Sequence, residues 1–172
     1  CSEDNYIRCF NGNDHGEGDV LWSVEIYSGS LYHQNEITLT EDLDGDGIQD
    51  IIIGTPWGDD SIIALSSKDG DQIWKHDTHE YGDGGWVYQV SMHPDQTGDG
   101  ISEVLAAVGD DGDDTGPNRV YMLNGMTGDS EWECYLAGPG FSVISVKDFT
   151  GDGVDDVGRG IARGRSPQPE RQ

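Results

Sequence analysis

Clusters of aspartate are the residues of this sequence best suited to chemistry. Three nine-residue segments share the pattern D-x-[D/T]-G-D-G-x-x-[D/E], and we name them loop 1 (42–50), loop 2 (95–103) and loop 3 (148–156). Oxygen atoms at positions 1, 3, 5, 7 and 9 of such a loop can surround a hard cation at about 2.3–2.6 Å. Glycine at position 6 permits the sharp turn that this wrapping requires. The pattern therefore predicts a metal ion bound by oxygen.

Each loop offers four side-chain ligands and one main-chain carbonyl, at position 7. In loop 1 the predicted ligands are Asp42, Asp44, Asp46 and Asp50 with the carbonyl of Ile48. In loop 2 they are Asp95, Thr97, Asp99 and Glu103 with the carbonyl of Ile101. In loop 3 they are Asp148, Thr150, Asp152 and Asp156 with the carbonyl of Val154. All-oxygen ligation with many carboxylates favours Ca²⁺ over zinc or copper, so we expect about three Ca²⁺ ions. Neutral threonine at position 3 predicts weaker binding in loops 2 and 3.

Two other interpretations of the loops are open. An EF-hand needs glutamate at position 12 and flanking helices, whereas Ile53, Ala106 and Arg159 stand there between strand-like segments. The loops could also be acidic turns that bind no metal. A plain turn needs only one or two Asp or Asn, however, and four carboxylates within nine residues repel one another.

The loops recur at a fixed period. This period indicates that each loop is positioned by the same structural unit, repeated along the chain. Loop 1 to loop 2 and loop 2 to loop 3 are each 53 residues apart, since 95 − 42 = 53 and 148 − 95 = 53. A second motif, Gly-x-x-x-Trp, ends at Trp22, Trp74 and Trp132. Self-similarity at such a period predicts a repeat architecture.

Every repeat has strand periodicity. An alternating stretch precedes each loop, and a nearly continuous apolar run follows it, as in 51–53 and 104–108. A third strand (62–65 or 120–123) and the Trp segment complete the unit. Four short strands in about 50 residues are typical of a β-propeller blade. We therefore predict an all-β fold of β-propeller-type repeats, built from four-stranded blades.

The chain holds about three blades' worth of sequence and starts and ends mid-blade. Residues 1–30 form the second half of a blade, 31–83 and 84–140 are complete blades with a Ca²⁺ loop each, and 141–172 form a first half with a Ca²⁺ loop and a basic C-terminal tail. A closed propeller needs at least about four blades. The chain is therefore a segment of a longer propeller, an incomplete sequence, or a subunit that completes its half-blades with other copies.

These residues resemble a known family. Asp46-Gly-Ile-Gln-Asp-Ile-Ile-Ile-Gly54 is similar to the FG-GAP, or integrin-α-type, β-propeller repeat, and this resemblance implies Ca²⁺ in a hairpin loop. The Trp segments resemble the docking motif of quinoprotein-type propellers: the segment 122–132 keeps the Thr-Gly and Trp spacing. After loop 3 the sequence departs from the family pattern, because 157–163 is not an apolar strand.

Charge and composition exclude several classes of function. The chain has 9 Lys and Arg against 34 Asp and Glu, a net charge of −25, so nucleic acid is excluded as an ordinary partner. No run of about 18 apolar residues is present, so we expect no membrane span. Five Trp and seven Tyr are too many aromatic residues for a disordered acidic tail.

Nothing in the sequence predicts catalysis. His76 and His79 form an H-x-x-H, but a zinc protease needs histidines at i and i+4 with a glutamate between them. Cys1 and Cys9 could pair, or Cys9 could be a small buried residue, since it aligns with Ala64 and Met122. We therefore expect a protein that is not an enzyme.

The combined expectation is an extracellular or cell-surface Ca²⁺-binding β-propeller repeat protein with a structural or adhesive role. Its partners would be other protein chains, either an adhesion partner or identical subunits. One alternative is a subunit of an extracellular filament or ring that completes half-blades between chains. Another is a non-catalytic fragment of a quinoprotein-like propeller enzyme.

Overall fold

The computed structural model describes residues 5–13, 18–26, 36–55, 59–79, 85–109 and 117–161. Every regular element in these ranges is a β-strand, which confirms the predicted all-β class. The strands are β1 (Tyr6–Phe10), β2 (Val20–Glu25), β3 (Ile37–Leu39), β4 (Ile51–Gly54), β5 (Ser61–Leu65), β6 (Gln72–Asp77), β7 (Trp86–His93), β8 (Glu103–Gly109), β9 (Arg119–Leu123), β10 (Ser130–Tyr135), β11 (Gly140–Val146) and β12 (Asp156–Ile161).

The strands form four antiparallel sheets in chain order. Blade 1 has the order β3-β4-β5-β6 and blade 2 the order β10-β9-β8-β7, so the predicted four-stranded blades are confirmed. Two-stranded sheets precede and follow them, and we name these the N-terminal half-blade (β1-β2) and the C-terminal half-blade (β11-β12). Of the predicted divisions, those at residues 30 and 83 lie outside the described residues, and the one at 140 lies at the first residue of β11. The basic tail 162–172 also lies outside them.

The inner strands of the complete blades are apolar on both faces because each blade packs between two neighbours. Ile52 and Ile62 face blade 2 and join a core with Val104 and Val108. The adjacent residues Ile53 and Ile63 point the other way and pack on the N-terminal half-blade. Side chains alternate along a strand, so one continuous apolar run serves two interfaces. A third core of the same kind joins blade 2 to the C-terminal half-blade.

Tryptophan side chains connect the N-terminal half-blade to blade 1 and blade 1 to blade 2. The indole N–H of Trp22 donates to the carbonyl of Ser67 at 2.8 Å, and that of Trp74 donates to the carbonyl of Gly125 at 2.9 Å. The ring of Trp74 leaves no space at Gly128, where an added Cβ would lie 2.6 Å from it. The Trp motif therefore joins blades, although its resemblance to quinoprotein propellers stays a prediction.

The C-terminal half-blade forms despite its weak apolar pattern. β12 pairs with β11 from Val146–Asp156 to Gly140–Ile161, although the sequence there departs from the repeat. The main-chain ladder needs no particular side chain, so a strand with Gly158 and Gly160 can still pair. None of the described elements is a helix with the length and hydropathy needed to cross a membrane.

Candidate metal centre

The three acidic loops lie at equivalent places, each between the first two strands of a sheet. Loop 1 joins β3 to β4, loop 2 joins β7 to β8, and loop 3 joins β11 to β12. The last ladder pair before each turn is Leu39–Ile51, His93–Glu103 and Val146–Asp156. Repetition of the blade therefore places all three loops at the same end of their sheets.

Loop 1 turns around the carboxylate of Asp42. The N–H of Gly45 donates to Oδ1 at 2.8 Å, and the N–H of Gly47 donates to Oδ2 at 2.8 Å. Gly45 and Gly47 have φ of 81° and 88°, a region that favours glycine. An added Cβ at either would meet no atom within 4 Å, so backbone conformation and not space requires glycine here.

Loops 2 and 3 repeat this arrangement. The first aspartate of each accepts hydrogen bonds from both loop glycines at 2.5–2.9 Å. The residues are Asp95, Gly98 and Gly100 in loop 2, and Asp148, Gly151 and Gly153 in loop 3. Donors favour the ionised carboxylate, so the bond from Gly47 lowers the pKa of Asp42, and that from Gly153 lowers the pKa of Asp148. These side chains keep their negative charge into the acid range.

The acid at position 9 ties each complete blade's loop to a second turn of the same sheet. Asp50 is fully buried, and its two oxygens accept the N–H groups of Leu43 at 2.7 Å and Ser67 at 3.1 Å. Glu103 is also fully buried, and Oε2 accepts the N–H of Gly125 at 3.2 Å. Ser67 and Gly125 lie in the turns β5–β6 and β9–β10. In both complete blades, the acid that ends the loop is therefore bonded to the second turn of its sheet.

Loop 1 concentrates its acidic oxygens. Among the residues that the structure describes, Asp42, Asp44 and Asp50 are the only three acidic side chains whose ligand oxygens all lie within 4.8 Å of one another. Oxygens that bind one Ca²⁺ are at most about 5 Å apart, twice the metal–oxygen distance. Asp46 Oδ2 is buried without a hydrogen bond in the described ranges, and the Lys68 ammonium lies 3.6 Å from it. This donor set and this unbonded oxygen fit a calcium ion.

The side-chain amide of Asn124 enters loop 2 and donates hydrogen bonds there, whereas in loop 1 Asp46 Oδ2 receives none from the described residues. The side-chain N–H₂ of Asn124 donates to Asp99 Oδ2 at 3.0 Å and to Thr97 Oγ1 at 3.3 Å. The bond from Asn124 is the main reason that the pKa of Asp99 is lowered. Asn124 therefore supplies hydrogen-bond donors to two predicted ligands.

Loop 3 is the most exposed of the three. Asp156 Oδ2 accepts the N–H groups of Phe149 and Thr150 at 2.6 and 3.1 Å, as position 9 does elsewhere. Phe149 is 91% exposed, whereas its equivalent in loop 1, Leu43, packs on the core between blades 1 and 2. Loop 3 therefore keeps the local turn, but among the described residues its position 2 side chain is not packed on a core.

The structure thus places all the predicted side-chain ligands in three similar turns, and it brings three carboxylates close together in loop 1. The carbonyls of Ile48, Ile101 and Val154 stay predicted ligands. Lys68 and Asn124 were missed, and both lie in the turn before a Gly-x-x-x-Trp tryptophan. Alignment of Asn124 with Ser66 could have identified that turn as part of the site.

The histidines that the structure describes do not form a shared site. His76 Nδ1 lies 3.0 Å from the carbonyl of Gly128, whereas His79 Nε2 lies 3.2 Å from Asp60 Oδ2. Burial raises the pKa of Asp60 to about 6; His79 opposes this shift, and the nearby Asp59 and Asp77 add to it.

Cys9 and Cys134 are free thiols, and Cys9 packs on the core as a half-buried residue. Cys1, His15 and His33 lie outside the described residues.

Comparison with known proteins identifies the repeat that carries loop 1. Residues 35–74 match the family model of the FG-GAP repeat, which confirms the predicted resemblance over most of blade 1. FG-GAP repeats build propeller proteins of integrin type, are typically structural or adhesion modules and often bind Ca²⁺. No curated protein matches the chain significantly.

Proposed function

We propose that the chain is a calcium-binding β-propeller repeat protein with a structural or adhesive role, outside the cell or on its surface. Ca²⁺ would rigidify one hairpin loop in each repeat, with about three ions bound in all. The observation that carries the proposal is loop 1, where three carboxylates converge and a buried oxygen of Asp46 has no hydrogen bond from any described residue. In this reading the protein is not an enzyme.

The loops are prepared for a cation before one binds. Backbone N–H groups orient the first aspartate of each loop, so less entropy is lost when the ligands gather. In loop 1, Asp42, Asp44, Asp46 and Asp50 would hold Ca²⁺, which would supply the positive charge that offsets their mutual repulsion. The buried Asp50 would then link the ion to both turns of blade 1.

An extracellular location agrees with the ligands of the weaker loops. Loops 2 and 3 have threonine at position 3, and sites with fewer charges bind Ca²⁺ more weakly. Extracellular modules work with dissociation constants of about 10⁻⁴–10⁻³ M. The partner would be another protein chain, because the strongly acidic surface repels nucleic acid.

Calcium removal tests the proposal. A site at tenfold excess of Ca²⁺ over its Kd adds about 1.4 kcal/mol to the free energy of unfolding. We expect EDTA to lower the melting temperature and CaCl₂ to restore it, with MgCl₂ at equal ionic strength as the control. A melting temperature that does not respond to either reagent would contradict the proposal.

We propose a second candidate role, a subunit of an extracellular filament or ring. β12 and β1 are edge strands of two-stranded sheets. β12 corresponds to the second strand of a complete blade and β1 to the third, and in a complete blade these two strands pair with each other. The same hydrogen bond closes the connection from β1 to β2 as closes the turn in blade 1: Asn11 N–H donates to the Asp19 carbonyl at 2.9 Å, and Ser66 N–H donates to the Asp71 carbonyl at 2.8 Å. Two copies could therefore build one blade between them.

Light scattering tests this second candidate. Concentration-dependent growth of the particle mass is expected, and a proline in place of Val157 on the β12 edge should reduce it, since proline removes a ladder donor. A single monomeric species at all concentrations would contradict assembly and would leave the calcium proposal intact.

A further inference from the structure

Glu41 reaches from blade 1 into loop 2. The hydroxyl of Ser102 donates to Glu41 Oε1 at 2.7 Å, and the backbone N–H of Ser102 donates to Oε2 at 3.2 Å. The hydroxyl of Thr40 also donates to Oε2, at 3.0 Å. One carboxylate of blade 1 thus receives two hydrogen bonds from a residue 61 positions later, in another sheet.

Both partners of this contact are next to predicted metal ligands. Glu41 precedes Asp42, and its carbonyl accepts the N–H of Asp50 at 3.1 Å, so it is attached to both ends of loop 1. Ser102 lies between Ile101 and Glu103, the last two predicted ligands of loop 2. A shift of either loop's backbone must therefore act on this pair of hydrogen bonds.

No hydrogen bond equivalent to this one joins loops 2 and 3 in the described part of the chain, although His93 at the end of β7 and Asp155 of loop 3 interact through their charges. The repeat places Pro94 where loop 1 has Glu41, and proline has no side-chain acceptor. Asp155 replaces Ser102. Its carboxylate accepts bonds from Lys147, the residue before loop 3, at 2.9 Å and from the N–H of Asp148 at 3.3 Å. Loop 3 therefore serves as an internal comparison.

We infer that Glu41 is a positioning residue that couples loops 1 and 2, so that a cation in one loop raises the affinity of the other. The inference rests on the proposed function, since it needs both loops to bind Ca²⁺. Loop 1 ordered around an ion holds Glu41 in place, and Glu41 then holds the Ser102 peptide with its neighbours Ile101 and Glu103. Linkage makes the effect reciprocal: Ca²⁺ in loop 2 must strengthen loop 1 by the same factor.

Two-dimensional amide NMR with CaCl₂ as the titrant can follow each loop separately, because each contains its own pair of glycines. The amides of Gly47, Gly100 and Gly153 report loops 1, 2 and 3. In the parent protein, Asp42→Ala should weaken loop 2 on the order of fivefold, near the lower end of usual coupling, and leave loop 3 unchanged. Ser102→Ala removes the hydroxyl bond to Glu41 but keeps the backbone N–H bond. In that background the effect of Asp42→Ala on loop 2 should therefore be smaller, whereas in a Ser102→Thr background it should persist in full.

A second measurement covers the case in which Asp42→Ala disorders loop 1. Ser102→Ala changes no residue of loop 1. Reciprocity nevertheless requires it to weaken Ca²⁺ binding by loop 1, as the Gly47 amide reports, and Ser102→Thr should restore that affinity. The coupling is overturned if loop 1 and loop 2 titrate independently, or if Ser102→Ala leaves their dependence intact. If no glycine amide responds to millimolar CaCl₂, the proposed function itself fails.

Discussion

Blades 1 and 2 present the same loop backbone around different interiors. In both, the first aspartate accepts N–H bonds from two glycines, and a fully buried acid at position 9 accepts them from the second turn. Loop 1 surrounds a buried oxygen of Asp46 that receives no hydrogen bond within the described ranges, and the Lys68 ammonium lies 3.6 Å from it. Loop 2 surrounds the amide of Asn124, which donates to two predicted ligands.

This difference separates the shape of a site from its charge. The shape follows from residues that recur in every loop, Asp at position 1 and Gly at positions 4 and 6. The charge follows from position 3 and from the second turn, which vary between the blades. Metal affinity can therefore change from one repeat to another without a change of fold.

The largest expected effect comes from the tryptophan on the fourth strand of each blade, because the two tryptophans differ in burial. Trp74 on β6 is buried and bonded to blade 2, whereas Trp132 on β10 is only half-buried. We expect Trp74→Ala to lower the free energy of unfolding by about 3–5 kcal/mol. Trp132→Ala should cost less than about 2 kcal/mol. Denaturant unfolding in CaCl₂ measures both, with Trp74→Phe as the control that keeps a ring; equal losses for the two alanine variants would contradict this account.

The next effect concerns the opposite end of the blades, where Asp60 of blade 1 stands in place of Asn118 of blade 2. The folded-state pKa of Asp60 is raised to about 6 from 3.8, so folding favours the protonated form and stability falls as the pH rises through about 6. Asp60→Asn should therefore stabilise the protein by about 1–2 kcal/mol at pH 7.5 and give no gain at pH 4. Asparagine also tolerates the φ of 40° at this position.

Denaturant unfolding at the two pH values measures this difference. Asp71→Asn makes the same charge change at an exposed turn residue and serves as the control. A gain for Asp60→Asn that is equal at pH 4 and pH 7.5 would show that titration of Asp60 is not its cause.

Asn124→Asp would make the interior of loop 2 more like that of loop 1. Without calcium, a carboxylate oxygen would face Asp99 in place of a donor, so we expect a loss of about 1–2 kcal/mol. With calcium, the added charge should strengthen binding, so the stabilisation by CaCl₂ should exceed that of the parent. Thermal melts in EDTA and in CaCl₂ measure both parts.

Asn124→Ser is the matched control, because it introduces the blade 1 residue Ser66 without adding charge. It should lower the calcium-free stability but should not increase the response to CaCl₂. If the two variants respond alike to calcium, charge at this position does not set the affinity of loop 2.

The smallest expected effect is at Lys68, which Met126 replaces in blade 2. The pair with Asp46 is largely exposed on the lysine side, so Lys68→Met should change stability by less than about 0.5 kcal/mol. The ammonium repels a cation in loop 1, and its loss should raise calcium affinity by about twofold. Calorimetric titration measures the affinity, with Lys75→Met as the control of equal charge; weaker binding after Lys68→Met would show that the lysine supports the site.

The fold and the loop positions could be predicted from the sequence because they depend on short-range patterns. The period of 53 located every loop, and alternating or continuous apolar runs predicted the strands around it. β12 was harder to predict, since its pairing uses the backbone of β11 and few apolar side chains. The amide of Asn124 inside loop 2 could not be predicted, because the contact depends on how two turns of one sheet meet.

The sequence by itself determined the repeat, the all-β blades and the conformation of each loop. The hydrogen bonds between residues of one loop span two to seven positions, so the nine residues of the loop suffice to specify them. Only the tertiary structure decided which groups enter each loop and that Glu41 meets Ser102. Those contacts join turns or sheets that are distant in the sequence, and their distances depend on how neighbouring blades pack on the apolar cores between them.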